Sequence, residues 1–279
     1  MKKSDAELDG FKAYLLEKGK REKTIEDHVR HITNFRRWLQ SEGGDLANLT
    51  RYDVQQYIKH LQNKGNKATT LNPKFSAIVA YARYIGQSHL VENIQRPEIR
   101  HTRHISPKSL SRVDRNRLFR ELERSGNLRS IAVAYTLLYT GLRVSELVAL
   151  NRDDVHMGER SGQVIVRDGK GGIARTVPLP SEARYHLRRY LETREDDDPA
   201  LFLSNFKQRI SIRAVQRIFE KLDIHPHMLR HTYGRELVSS GVDIATVAEL
   251  MGHSDVNVTR RYAAPSMKDL EQAVEKVFG

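Results

Sequence analysis

Gln163-Val164-Ile165-Val166-Arg167-Asp168-Gly169-Lys170-Gly171-Gly172-Ile173-Ala174-Arg175-Thr176-Val177-Pro178 is the clearest strand signal in a chain that otherwise reads as helix. Its two flanks, 163–167 and 173–178, alternate with the two-residue period of a β-strand. The Asp-Gly-Lys-Gly-Gly run between them gives the backbone freedom that a hairpin tip needs. Lys170 stands at that tip. Elsewhere apolar residues recur at three- and four-residue spacing, the pattern of helices with one buried face. The chain is therefore predicted to be mainly α, with one small β-hairpin or sheet.

Before the hairpin, residues 1–95 repeat one local grammar: a Ser or Thr, an acid three residues later, helically spaced apolar residues, then Gly. Ser4 with Glu7 opens a helix that stops at Gly19, and Thr24 with Asp27 opens a longer one carrying Ile25, Val29, Ile32 and Leu39 to Gly43 and Gly44. Thr50 with Asp53 starts a third, with Val54, Tyr57, Ile58 and Leu61 on one face, and Leu71, Phe75, Ile78, Ala82 and Ile85 define a fourth before Gly86. A four-helix bundle is the expectation. Residues 96–107 then lose the apolar period. Between Pro97 and Pro107 lie Arg100, His101, Arg103 and His104, and the stretch reads as a basic interdomain linker suited to phosphate, where the bland alternative is a solvated tether.

A larger, mostly helical domain is expected over 108–279. Ser111 with Asp114 caps one helix, and Leu128 to Tyr139 is apolar enough for a buried one ending at Gly141. Helical patterns return at 181–194, 212–222, 227–238, 243–251 and, with Ser266 and Asp269 as a cap pair, 266–278. Glu195 to Asp198 reads as a loop.

Composition narrows the chemistry. The 279 residues carry 47 Lys and Arg against 35 acids, a net charge of +12, which favours a polyanionic partner. Residues 1–105 hold 19 basic and 12 acidic residues, net +7, so the charge is not confined to one tail. Cysteine is absent, which excludes disulfides, thiolate metal sites and cysteine nucleophiles. No apolar run approaches a membrane span and the start lacks the apolar core of a signal peptide, so a soluble, intracellular (cytoplasmic) protein without a membrane partner is expected.

Taken singly, the candidate residues have ordinary readings. Arg143, in Thr140-Gly141-Leu142-Arg143-Val144-Ser145-Glu146, follows a glycine at a helix break, where a guanidinium fork can grip two oxygens of a phosphate; its plain alternative is an i, i+3 pair with Glu146. His227 and Arg230 lie one turn apart on one helical face, and His231 follows four residues after His227. Zinc binding by the two histidines is a weak reading, because Met228 stands where the metalloprotease pattern has Glu. A His–Arg pair suits phosphate chemistry instead, and His231 is read as a structural contact. His253, after Gly252, is by itself a structural histidine, Tyr262 a packing residue and Lys170 a solvated turn lysine.

Their order changes the odds. Gly-Leu-Arg, a Gly-Lys-Gly hairpin, His-x-x-Arg, Gly-His and then Tyr resemble the tyrosine recombinase (phage integrase) family, with Xer-like spacings of 23 residues from Arg230 to His253 and nine from there to Tyr262. The resemblance spans 108–279 strongly and the N-terminal bundle more weakly. It implies that the bundle is a DNA-clamping domain. Arg143 and Arg230 would hold the scissile phosphate, with His227 and His253 as partners, Lys170 as proton donor, Tyr262 as nucleophile and Glu146 in support.

The implied activity is site-specific recombination through a 3′-phosphotyrosyl intermediate and a Holliday junction, with no cofactor and no metal. The implied partners are duplex DNA with paired inverted-repeat sites and further copies of the chain in a tetramer, whose C-terminal helix, 266–278, would dock on a neighbouring copy. A paralogous recombinase or a DNA-bending accessory protein would be a further partner. The competing readings are a type IB topoisomerase-like nicking–closing enzyme and a catalytically silent DNA-binding regulator.

Overall fold

The computed structural model describes residues 2–96, 98, 108–167, 174–253, 256–260, 262 and 275. Most of the expected linker, the hairpin tip with Lys170, and the expected C-terminal helix apart from Glu275 lie outside them. The chain divides into two compact units, 1–101 and 102–279.

In the first unit four helices follow the apolar periodicity: α1 (Lys2–Glu17), α2 (Glu22–Ser41), α3 (Arg51–Asn63) and α4 (Ala68–Tyr84). Phe11, Leu15, Ile32, Phe35, Leu39 and Tyr81 close its core, each burial contributing about 1.5–3 kcal/mol before entropy is counted. The Thr50–Asp53 cap forms as a reciprocal pair, with the Asp53 amide donating to Thr50 Oγ1 at 3.2 Å and the Thr50 amide to Asp53 Oδ2 at 2.9 Å. Two expected starts move. α1 already runs from Lys2, so Ser4 lies inside it, and α2 begins after Arg21, whose side chain makes no cap, which puts Thr24 in the first turn. An acid at the first position of α2, Glu22, suits the positive end of the helix dipole without a hydroxyl cap.

The second unit is built around α6 (Leu128–Thr140), buried along most of its length and flanked by α5 (Arg112–Ser125). Ser111 caps α5 as its sequence indicates, accepting from the Asp114 amide at 3.1 Å. After α6 come the short α7 (Val144–Ala149) and three strands, β1 (Val155–Met157), β2 (Gly162–Val166) and β3 (Arg175–Pro178), in one antiparallel sheet ordered β1-β2-β3. β1 extends the expected hairpin by a strand of three residues, too short to show a period. Then follow α8 (Ser181–Leu191), α9 (Ile212–Glu220), α10 (Pro226–Ser239), α11 (Ile244–Met251) and α12 (Val256–Arg260).

α6 packs against α8 and α10, while α11 packs against α10, α12 and β3. These contacts bring the sheet edge and the end of α11 to the break between α6 and α7. The acidic loop is more ordered than its composition suggests, because Arg194 and Arg152 both pair with Asp196. Among the described residues no helix is long and apolar enough to cross a membrane.

Candidate active site

The break after α6 is made by Gly141, whose φ of +61° is a left-handed conformation that glycine adopts without strain. The chain re-enters a helix two residues later with Arg143 at the N-cap of α7. Glu146, three residues on, reaches back to accept from the Arg143 amide at 2.8 Å and from Arg143 Nη1 at 2.7 Å. The ordinary i, i+3 pairing of the sequence reading therefore forms. It also does more, because Glu146 is buried and a second arginine comes to it from the sheet.

That second arginine is Arg175, which the sequence reading did not single out. It donates through Nη1 to Glu146 Oε1 at 3.0 Å and through Nη2 to Oε2 at 2.8 Å. The signal was present in the strand period: Arg175 stands two residues before the buried Val177, in the inward register of β3. A charge in a position that the pattern reserves for apolar side chains needs a buried partner. Arg230 completes the cluster from α10, with Nη1 3.9 Å from Glu146 Oε2 and donating to the Gly141 carbonyl at 2.5 Å.

Three guanidiniums around one carboxylate would repel one another, and the end of α11 offsets part of that. Its last carbonyls have no partner within the helix and carry the negative end of its dipole. Leu250 O accepts from Arg175 Nε at 3.2 Å, Met251 O from Arg230 Nη2 at 2.5 Å and Gly252 O from Arg143 Nη2 at 3.0 Å. Gly252, at φ +62°, is required twice over, since a Cβ there would also lie 2.7 Å from Arg175 Nη1.

The electrostatics follow from this packing. Burial pushes the Glu146 carboxyl upward, but the hydrogen bonds from Arg175 and from the Arg143 amide outweigh it and hold the group down at about 2. Burial and the neighbouring Arg143 lower Arg230 to about 10, with Glu146 opposing. A cluster of three cations and one anion keeps a positive excess, the condition for drawing in a phosphate.

The histidines and the tyrosine line the same cluster. His253 follows Gly252 directly, and its Nδ1 lies 2.8 Å from Thr259 Oγ1 on α12. Burial, then Arg230, Arg143 and Arg175, push its pKa down to about 4, and burial with Arg230 and Arg143 lowers His227 as well. Both imidazoles are therefore neutral at physiological pH. Tyr262 is 7% exposed, its ring nearly parallel to that of His253 with centroids 6.3 Å apart, and it packs on Val247 and Met251. Its hydroxyl lies 2.8 Å from His231 Nδ1. Arg143, Glu146, His227, Arg230, His253 and Tyr262 are thus brought together, and Lys170 lies outside the described residues.

The phage integrase family profile matches residues 108–269, and the profile of a phage integrase N-terminal SAM-like domain matches 8–89. The tyrosine recombinase XerA of Thermococcus kodakarensis is 31% identical over 96% of this chain and 94% of its own length. The TnP I resolvase of Bacillus thuringiensis is 28% identical over 95% and 97%. The fold is shared with the XerH site-specific recombinase bound to difH substrate in a pre-cleavage complex, at TM-score 0.68 and 19% identity over 90% of this chain and 78% of that one. With more than half its length matched by one family profile, and relatives that align along nearly all of it, the chain belongs to the phage integrase family.

Proposed function

We propose that this chain is a site-specific DNA recombinase that cuts and rejoins strands through a covalent bond between phosphorus and Tyr262. The observation that carries the reading is a buried tyrosine whose hydroxyl meets His231 and whose ring stacks on His253, beside a cluster of arginines that has more positive charge than its single carboxylate cancels. Strand exchange has to conserve the energy of the phosphodiester, and a covalent link does so by splitting one hard step into two. A phenol, with an ordinary pKa near ~10, serves as nucleophile in one direction and leaving group in the other.

The roles follow from position. Arg143 and Arg230 hold the nonbridging oxygens and stabilise the charge that gathers there in the transition state. Arg175 stays behind Glu146 and fixes the carboxylate that aims Arg143. His227 and His253 give hydrogen bonds to the phosphoryl group, Tyr262 forms a 3′-phosphotyrosyl bond, and Lys170 protonates the departing 5′ oxygen. Residues 1–95 clamp the duplex, the catalytic domain, 108–279, cuts it, and the basic segment 96–107 carries charge suited to phosphates. The reaction runs in a tetramer on two synapsed inverted-repeat sites, through a Holliday junction, with residues 266–278 docked on a neighbouring copy.

Strand exchange is favoured over nicking and closing because the relatives that align along nearly the whole chain are recombinases and a resolvase. The test begins with sites recovered by binding selection from random duplex DNA, placed once or twice on a supercoiled plasmid. Two-site plasmids should give products of altered connectivity. Equal relaxation of one-site and two-site plasmids, without such products, would favour the nicking–closing reading.

A further inference from the structure

The sequence reading gave His231 no part in the chemistry, yet its ring is in contact with the hydroxyl that has to react. Its Nδ1 lies 2.8 Å from Tyr262 Oη, with ring centroids 5.8 Å apart and planes inclined by 48°, so the nitrogen approaches the oxygen while the rings do not stack. The other neighbours are placed differently. His253 stacks on the Tyr262 ring and turns its Nδ1 to Thr259, and His227, one turn before His231 on α10 with centroids 6.3 Å apart, has its pKa lowered by burial, Arg230 and Arg143. An arginine has no lone pair to offer.

A phenol is scarcely ionised near pH 7, so its proton has to leave as the bond to phosphorus forms, and an imidazole nitrogen within hydrogen-bond reach has the lone pair to receive it. We infer that His231 is the proton acceptor for Tyr262, a catalytic role resting on the reading of Tyr262 as nucleophile. With the imidazole neutral and its proton on Nε2, Nδ1 takes the phenolic proton as Oη bonds to phosphorus. The bond from phosphorus to the 5′ oxygen breaks, its electron pair stays on that oxygen, and a separate acid, Lys170 in the proposal above, protonates it. In the rejoining step the 5′ hydroxyl attacks phosphorus and gives its proton back to that acid, while the bond from phosphorus to Oη breaks and the imidazolium returns its proton to Oη.

The test measures single-turnover cleavage of nicked duplexes carrying either the natural 5′ oxygen or a bridging 5′ sulfur, a leaving group that needs no proton. His231→Ala should keep DNA affinity and lose roughly 10²-fold in rate on both substrates. His231→Gln, which can hold the hydroxyl by a hydrogen bond but cannot take its proton, should be equally slow. Wild-type rates in either variant would overturn the inference, as would a defect that the bridging sulfur erases, since His231 would then serve the leaving group. Those outcomes leave the recombinase reading intact. A wild-type chain that forms no adduct at Tyr262 removes both.

Discussion

Glu146 and Arg175 form a two-pronged ion pair with only 3% and 8% of their side chains exposed, and that pair ties strand β3 to the start of α7. Removing one member of a buried pair leaves the other charge without compensation, and here it also leaves three guanidiniums facing one another. Glu146→Ala should destabilise the protein by about 3–5 kcal/mol. Urea unfolding checks this, and Arg175→Ala in the same background should cost less than it does alone, because the partner is already gone.

Gly252 offers a cleaner probe of the arginine cluster. Gly241 and Gly252 both sit at positive φ, +83° and +62°, but a Cβ at 241 meets open space while one at 252 meets the Arg175 guanidinium. Gly241→Ala should cost about 1–2 kcal/mol from backbone strain alone. Gly252→Ala should cost a further ~1–3 kcal/mol from the clash and slow cleavage as well. Equal losses of stability in the two variants would mean that Arg175 moves aside freely.

Acid should weaken the fold in two stages. The Glu146 carboxyl sits near 2 in the folded state against an ordinary 4.5, so its contribution is full above pH 4.5 and is lost as pH falls toward 2. His253 is held near 4 against 6.5, chiefly by burial and then by Arg230 and Arg143. The unfolded chain therefore takes up that proton first, and stability drops between pH 6.5 and 4 before levelling. Urea midpoints against pH should show a shallower upper stage in His253→Gln and a shallower lower stage in Glu146→Gln, each compared with the wild type.

Arg143 is the most open of the three arginines paired around Glu146, with 21% of its side chain exposed against 8% for Arg175 and 4% for Arg230. Arg143→Ala should bind DNA but cleave it roughly 10²–10³-fold more slowly. Arg143→Lys should recover little of that, because an ammonium is a point charge and cannot copy the fork. Single-turnover cleavage with a separate binding measurement distinguishes the two effects.

What the sequence showed and what it concealed divide along physical lines. Local signals were legible: the Thr50–Asp53 and Ser111–Asp114 caps, the glycines at 141 and 252 and the hairpin flanks are each decided within a few residues. The start of α2 was not, since a hydroxyl followed by an acid fits the first turn as well as the cap. Arg143, Arg230, His253 and Tyr262 emerged as a set from their order, each being unremarkable alone. Arg175 and the His231–Tyr262 contact were hidden because both join positions far apart in the chain, 29 and 31 residues from their partners. Only the inward register of β3 hinted at the first, and nothing local hinted at the second.

Every step of the proposed strand exchange passes through Tyr262. A nicked duplex bearing the selected site traps a cleaving enzyme, because the short 5′-hydroxyl fragment diffuses away and rejoining stops. Incubation followed by denaturation and peptide mapping should find DNA joined through its 3′ phosphate to Tyr262, and Tyr262→Phe should bind the same duplex without forming the adduct. An adduct that persists in Tyr262→Phe, or that maps to another residue, would contradict the account.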